Sequence, residues 1–156
     1  TLNTTYYNTL GSEWQNLISE STWQVGGMVF SNTNTAKQYY DIELGTGQSG
    51  YAETMIIGLM YVSDYGYGAS PEKWTTALYE ENYGTDNWLY LDSNDWFISC
   101  LTVSMSNAFF VKSNNGGSVN NTTVSNALAV RPSFSLESSV VLTGGTGTAS
   151  DPYRIS

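Results

Sequence analysis

From Trp88 to Arg131 the chain reads WLYLDSNDWFISCLTVSMSNAFFVKSNNGGSVNNTTVSNALAVR. Four short runs in it carry β-branched, aromatic or other apolar residues: Trp88–Leu91, Trp96–Leu101, Ala108–Lys112 and Ala127–Val130. Each is bounded by Asn, Ser or Gly, which favour turns, so each reads as a short strand. Three more strands are predicted beyond Arg131, at Ser133–Leu136, Val140–Leu142 and Tyr153–Ile155. The last two are separated by the flexible Gly144-Gly145-Thr146-Gly147 turn.

Toward the N-terminus the pattern changes to helical signals. Ser12 with Gln15 fits a capping box, and Trp14, Leu17 and Ile18 follow at helical spacing as candidate core residues. Asn3 is a candidate N-cap for a shorter helix that packs Leu2, Tyr6 and Tyr7 inward. Thr35 with Gln38 makes a second capping box, whose helix runs through Tyr39 and Ile42 and stops at Gly45. Trp23–Phe30 reads as a strand kinked at Gly26-Gly27. A glycine-rich turn is expected over residues 45–50, and a buried apolar run at Met55–Val62. Ser63 to Gly68 (Ser-Asp-Tyr-Gly-Tyr-Gly) reads as an irregular loop because of its glycines. Ser70-Pro71-Glu72 starts a helix with Pro at the first helical position, and Trp74, Leu78 and Tyr79 line its inner face. Helices early and antiparallel strands late give an α+β fold. With no repeat and no linker, residues 1–156 are read as a single domain.

A chain of 156 residues buries roughly 70% of its unfolded surface, so its core needs neither metal nor disulfide. Cys100 is the sole cysteine, and no disulfide closes within the chain. The apolar run at Met55–Val62 is broken by Gly58 and is too short to span a bilayer. The chain opens at Thr1 without a signal peptide, so an export signal is expected upstream. Fourteen acids, five scattered bases and no histidine give a net charge of −9. Nucleic-acid binding needs clustered Lys and Arg, and anionic membranes repel this charge, so neither is an expected partner. Charged residues make up 12% and aromatics 14%, with solubility left to Asn, Ser, Thr and Gly. Rigid aromatics among adaptable polar groups suit a binding surface, although Thr and Tyr also simply suit strands.

Several motifs stand in order in the second half: Asn87-Trp88-Leu89-Tyr90, Trp96-Phe97-Ile98-Ser99, Ala108-Phe109-Phe110-Val111, Gly117-Ser118-Val119 and Val130-Arg131-Pro132. Together they resemble the closing half of bacterial C-type lectin-like domains, a group that includes formylglycine-generating-enzyme-like folds and the variable proteins of diversity-generating retroelements. In the first half, Leu2-Asn3-Thr4-Thr5-Tyr6-Tyr7, Trp23-Gln24-Val25-Gly26-Gly27 and the segment from Ile57 to Tyr67 resemble exported domains of Firmicutes found behind prepilin-like anchors. The ending with Asp151-Pro152-Tyr153 is similar to theirs. The resemblance implies a C-type lectin-like fold with neighbouring termini and a ligand-facing surface between residues 96 and 131. It implies an extracellular location at a bacterial cell surface. It further implies that Arg131 is buried against an acid and locks the final strand. That narrower group carries cysteines between Gly68 and Asn87; this chain has none there, so packing must hold the loop, with the helix at Ser70 a candidate support.

The fold's redox relatives need paired copper-binding cysteines or iron-binding histidines, and this chain lacks both sets. The absence of histidine also removes the usual Ser-His-Asp triad. Cys100 has no neighbouring cation in sequence to activate it. Carboxylate chemistry is the remaining enzymatic route, with Asp64, Glu80, Glu81, Asp92 and Asp95 as candidates, but a glycosidase needs two carboxyls about 5–9.5 Å apart across a cleft. Asp64 is alternatively a cap for nearby amides or a partner for Arg131. Asp92-Ser93-Asn94-Asp95 offers oxygens of the kind calcium takes, but Asn94-Asp95-Trp96 is not the Trp-Asn-Asp order of animal lectins. The reading therefore assigns no catalytic residue, metal or cofactor.

It assigns instead a binding face built from Trp88, Tyr90, Leu101, Thr102, Ser104, Ser106, Asn107, Asn120, Thr122 and Val124. Trp96 and Trp14 are placed in the core. In the retroelement-diversified relatives, matching positions are exposed and altered at adenines, and an Asn codon so treated yields residues such as Ser, Thr, Val, Leu and Cys. The segments Cys100–Asn107 and Asn120–Asn126 are compatible with that set apart from Met105. The function expected is recognition or adhesion to a protein or glycan on another cell surface. The alternatives are a pilin-like filament subunit contacting neighbouring subunits, and a carboxylate hydrolase.

Overall fold

The computed structural model describes residues 1–45, 51–101 and 104–156. Two irregular helical turns, Leu2–Tyr6 and Tyr7–Thr9, open the chain, followed by a four-residue helix α1 (Ser12–Gln15). Strands β1 (Ile18–Ser19) and β2 (Ser21–Gln24) lead to helix α2 (Ala36–Leu44). Strands β3 (Ala52–Met55) and β4 (Ile57–Leu59) lead to helix α3 (Val62–Tyr67). A meander follows, β5 (Trp96–Leu101), β6 (Ser104–Lys112) and β7 (Ser118–Thr123), and then β8 (Pro132–Leu136), β9 (Leu142–Gly144) and β10 (Arg154–Ile155). The fold is α+β, with its α-helices before β5 and mostly antiparallel strands.

The β5-β6-β7 meander is the centre of the molecule. Its register pairs Trp96 with Phe110 and Phe110 with Asn120, then Cys100 with Ala108 and Ala108 with Thr122. Because side chains alternate along a strand, Phe97, Ser99 and Leu101 of β5 turn inward and are buried. Helices α2 and α3 meet this inner face through rings. Tyr39 stands edge-on to Phe109 at 5.8 Å, and Tyr65 to Phe97 at 5.7 Å. Buried phenols need partners: Tyr65 donates to Gly117 O at 2.6 Å, and Tyr83 to Gly66 O at 3.0 Å. In a second sheet β8 lies between β1 and β4, so the segment after Arg131 is paired with strands from the N-terminal half of the chain.

Several sequence expectations give way. Ser63–Gly68 is not an irregular loop, because most of it forms α3. Gly66 brings that helix against α2: a Cβ there would stand 2.7 Å from Ala36 Cβ. The capping box at Thr35 and Gln38 forms as predicted, with both reciprocal bonds in place. The one at Ser12 does not: the N-cap is Gly11, and Gln15 donates to Tyr7 O and Leu10 O instead. Asn3 caps no helix. Its amide clamps β4, accepting from Ile56 and Ile57 N–H and donating to Ile57 O. Trp14 is exposed rather than core, because α1 stops after one turn and the ring rests only edge-on against Phe134. Trp96 is half-buried against Phe110.

The helix expected from Ser70 is one 3₁₀ turn, Pro71–Lys73; Leu78 is buried as predicted, but Trp74 and Tyr79 are exposed. The long loop after it is held by Lys73, whose ammonium donates to Asn82 O at 3.0 Å and Thr85 O at 2.6 Å. Trp88–Leu91 forms no strand, and Ala127–Val130 contributes only the bridge of Ala129 to Asp95. Of Trp23–Phe30, only the start is strand, and Met28 makes a parallel bridge to Leu101. Strand β7 occupies much of what reads as a polar loop. The predicted turn at 45–50 falls mostly outside the described residues.

Candidate functional site

The residues singled out from sequence fall at two ends of the meander. Trp88 and Tyr90 belong to the Trp96 end: Arg131 links Leu89 O to Asp95, beside Trp96, and Asn120 is joined to that end through Phe110. Ser106, Asn107, Thr122 and Val124 belong to the other end, where Ser106 O accepts from Val124 N and Asn107 pairs with Thr123. Strand β5 separates the ends by roughly 17 Å, so one small ligand cannot span both. Leu101 leaves the binding set altogether. It points inward at the end of β5 and is 5% exposed, part of the core with Phe109 and Met28. Tyr90 is half-buried and its hydroxyl is committed to Asp92 Oδ1 at 2.8 Å and Ser113 O at 3.2 Å. Ser106 and Val124 are exposed. Thr102 and the side chain of Ser104 lie outside the described residues.

At the Trp96 end there is a pocket of about 420 Å³. Its apolar lining is Met60, Gly68 and Leu89, its rim carries Trp88 and Tyr67, and Asp64 and Ser133 supply polar groups. Trp88 is 78% exposed, the most exposed large apolar side chain among the described residues. Its backbone is nevertheless fixed. Trp88 N donates to Gly68 O at 3.3 Å, while the buried Asn87 beside it donates to Tyr65 O at 2.8 Å and accepts from Leu89 N at 3.0 Å. The indole is therefore presented from a backbone strapped to the end of α3. Tyr67 is braced on the other side, edge-on to Trp74 at 5.3 Å, with the Trp74 indole N–H bonded to Ala69 O at 2.9 Å. Sequence reading names Trp88 but misses Tyr67, and it gives Asp64 only structural or acidic roles. The Tyr-Gly-Tyr-Gly run ending in Gly68, of which Tyr67 alone is exposed, is the signal that could have pointed to a rim.

Asp64 serves both structure and site. Its Oδ2 accepts from Tyr61 N at 3.0 Å, the cap expected of it, and it forms no ion pair with Arg131. Loss of solvation raises its carboxyl above the ordinary carboxylate value, with the Tyr61 amide opposing. The other candidate acids are engaged or remote. Asp95 is buried, pairs with Arg131 at 2.6 Å and accepts from Ser93 Oγ at 2.9 Å. Asn94 Oδ1 accepts from Ser113 N and Oγ, so these oxygens of the calcium-like stretch are taken up by protein donors. Glu80 and Glu81 are exposed. Among the described residues, no group of three or more Asp, Glu or Cys side chains is placed to hold a metal ion.

Glu43 is a buried acid that sequence reading overlooks. Its carboxylate accepts from Val62 N at 2.8 Å, Ser63 N at 3.0 Å and Ser99 Oγ at 3.1 Å. Burial pushes its pKa up to about 7 against the pull of these hydrogen bonds. At 3% exposure it joins α2, α3 and β5 rather than meeting a ligand. A second depression of about 690 Å³ lies between Leu2, Tyr6, Val130 and Pro132, and its lining carries no charged side chain. Among the described residues, no helix is long and apolar enough to cross a membrane. In comparisons with known proteins the chain matches no family model, no curated protein and no solved structure.

Proposed function

We propose that this chain is an exported recognition module of C-type lectin-like fold at a bacterial cell surface, binding a glycan on another surface through the Trp88 pocket. The observation that carries it is the pairing of extreme exposure with a fixed backbone at Trp88. A large ring left in water on a fixed backbone leaves only its own rotamers to be ordered when it meets a ligand, which suits a binding anchor. The pocket's size falls within the range typical of ligand sites, and one carboxylate among apolar walls suits orientation of a hydroxylated ligand. The fold reading is supported by the helix-first order, by β8 pairing back to β1, and by the burial of Asp95 against Arg131.

Binding rather than hydrolysis is favoured because Asp92 and Asp95 are each engaged by a neighbouring side chain. The test is a glycan array probed with the wild-type chain and Trp88→Ala. Selective retention of the wild type, lost by at least about ten-fold in a variant with an unchanged circular dichroism spectrum, is the expected result. Equal binding by both chains would remove the pocket from the proposal. A second reading, a filament subunit, draws on the β9–β10 ribbon, which exposes Val141, Leu142 and Tyr153.

A further inference from the structure

The geometry points to an ammonium head group, methylated at nitrogen and carried on the glycan, as the chemical group the Trp88 pocket takes. The inference rests on the recognition reading and deepens it. Aromatic faces carry partial negative charge and attract cations, most strongly where water is excluded. Trp88 and Tyr67 put two such rings at one pocket, with the apolar surface of Met60, Gly68 and Leu89 available to N-methyl groups.

Asp64 supplies the countercharge. One of its oxygens accepts from Tyr61 N, and it belongs to none of the ion pairs formed among the described residues. Asp64 is exposed at the surface, so its carboxylate stands as an accessible negative charge on the pocket lining that a bound cation can meet. No Lys or Arg lines the pocket to compete for it. Arg131, which bonds the backbone of the lining residue Leu89, is also held by Asp95. At the scale of the whole chain, a net charge of −9 raises the local concentration of cations and repels anionic ligands. A head group that ends in phosphate or carboxylate, with no ammonium beyond it, is the opposite of what this lining accepts.

The experiment compares choline with its uncharged isostere, 3,3-dimethylbutan-1-ol, by calorimetry and by saturation-transfer NMR on the whole chain. Expected results are choline binding at least ten-fold tighter than the isostere, a loss of about ten-fold or more in Asp64→Asn, and no detectable binding in Trp88→Ala. Asparagine keeps an acceptor for Tyr61 N, so α3 retains its cap. Equal affinity for choline and the isostere overturns the inference, as does choline binding unaffected by Asp64→Asn. Failure of choline alongside a glycan signal lost in Trp88→Ala ends the ammonium assignment and leaves the recognition reading intact. An array signal indifferent to Trp88→Ala ends the reading itself. Retention on a phosphocholine-substituted polysaccharide but not on phosphatidylcholine vesicles supports the glycan as source; retention on the vesicles overturns that source.

Discussion

Arg131 reaches two acceptors at once, Asp95 Oδ2 and Leu89 O, and so ties the strand after it to the loop that presents Trp88. The Asp95 side chain is only 6% exposed, so removing its partner strands a carboxylate in the protein interior. Arg131→Ala is expected to cost about 3 kcal/mol or more in denaturant unfolding, or to leave the protein insoluble. A variant that melts within ~1 kcal/mol of wild type would show that the pair carries no such weight. Glu43 makes a prediction of opposite electrostatic character. Its folded pKa of about 7 lies above its ordinary value of 4.5. Between those values the folded chain keeps a proton that the unfolded chain has lost, so stability from this group is full below 4.5 and is lost as pH rises through about 7. The swing is on the order of a few kcal/mol. Thermal melts from pH 5 to pH 7.5 should show a falling midpoint in wild type and a clearly flatter profile in Glu43→Gln. Parallel profiles would count against this titration.

The α2–α3 pair shows how far local sequence carries and where it stops. The start of α2 is legible because the capping box is local: Thr35 and Gln38 satisfy each other's backbone within one turn. Helix α3 is not legible, because what stabilises it comes from elsewhere. Glu43 accepts the N–H groups of Val62 and Ser63, and Gly66 allows Ala36 to approach. A glycine that reads as a loop signal is here a point of contact between helices. Gly66→Ala should therefore destabilise rather than rigidify, by about 1–3 kcal/mol, since its Cβ would meet both the Cβ and the backbone of Ala36. A gain in stability, the usual result of glycine-to-alanine in an open helix, would show that α2 can step back freely. Similar reasoning separates the strands. β5 is legible as a strand from its apolar run, although its inside–outside alternation appears only in the structure, whereas β7 is polar over Asn120–Thr123 and is recognisable only once paired with β6. The candidate site was half legible for the same cause. Trp88 stands out by residue type, but its neighbours Tyr67 and Asp64 are brought to it by the hidden helix.

Across the whole molecule, burial is uneven along the chain. The core runs from Met28 to Val119, and no residue after Val119 is fully buried. Strand β8 is tied in by pairing with β1 and β4, and Glu137 N donates to Leu17 O just beyond it. Past that point β9 and β10 pair with each other and join no other sheet. A two-stranded ribbon is marginal alone in water, and this one exposes Val141, Leu142 and Tyr153. Deleting residues 138–156 should thus leave the core intact, with a thermal midpoint within about 4 °C of the full chain, roughly the shift that 1 kcal/mol produces at this size. A large fall would mean that the ribbon supports the core through contacts its exposure does not suggest. The same pair of proteins tests the filament reading by sedimentation. Assembly that grows with concentration in the full chain and vanishes on deletion would assign the ribbon to subunit contacts, because exposed strand edges and apolar side chains are the ordinary means by which such pieces join. A full chain that stays monomeric at every concentration leaves the Trp88 pocket as the surface through which this protein meets others.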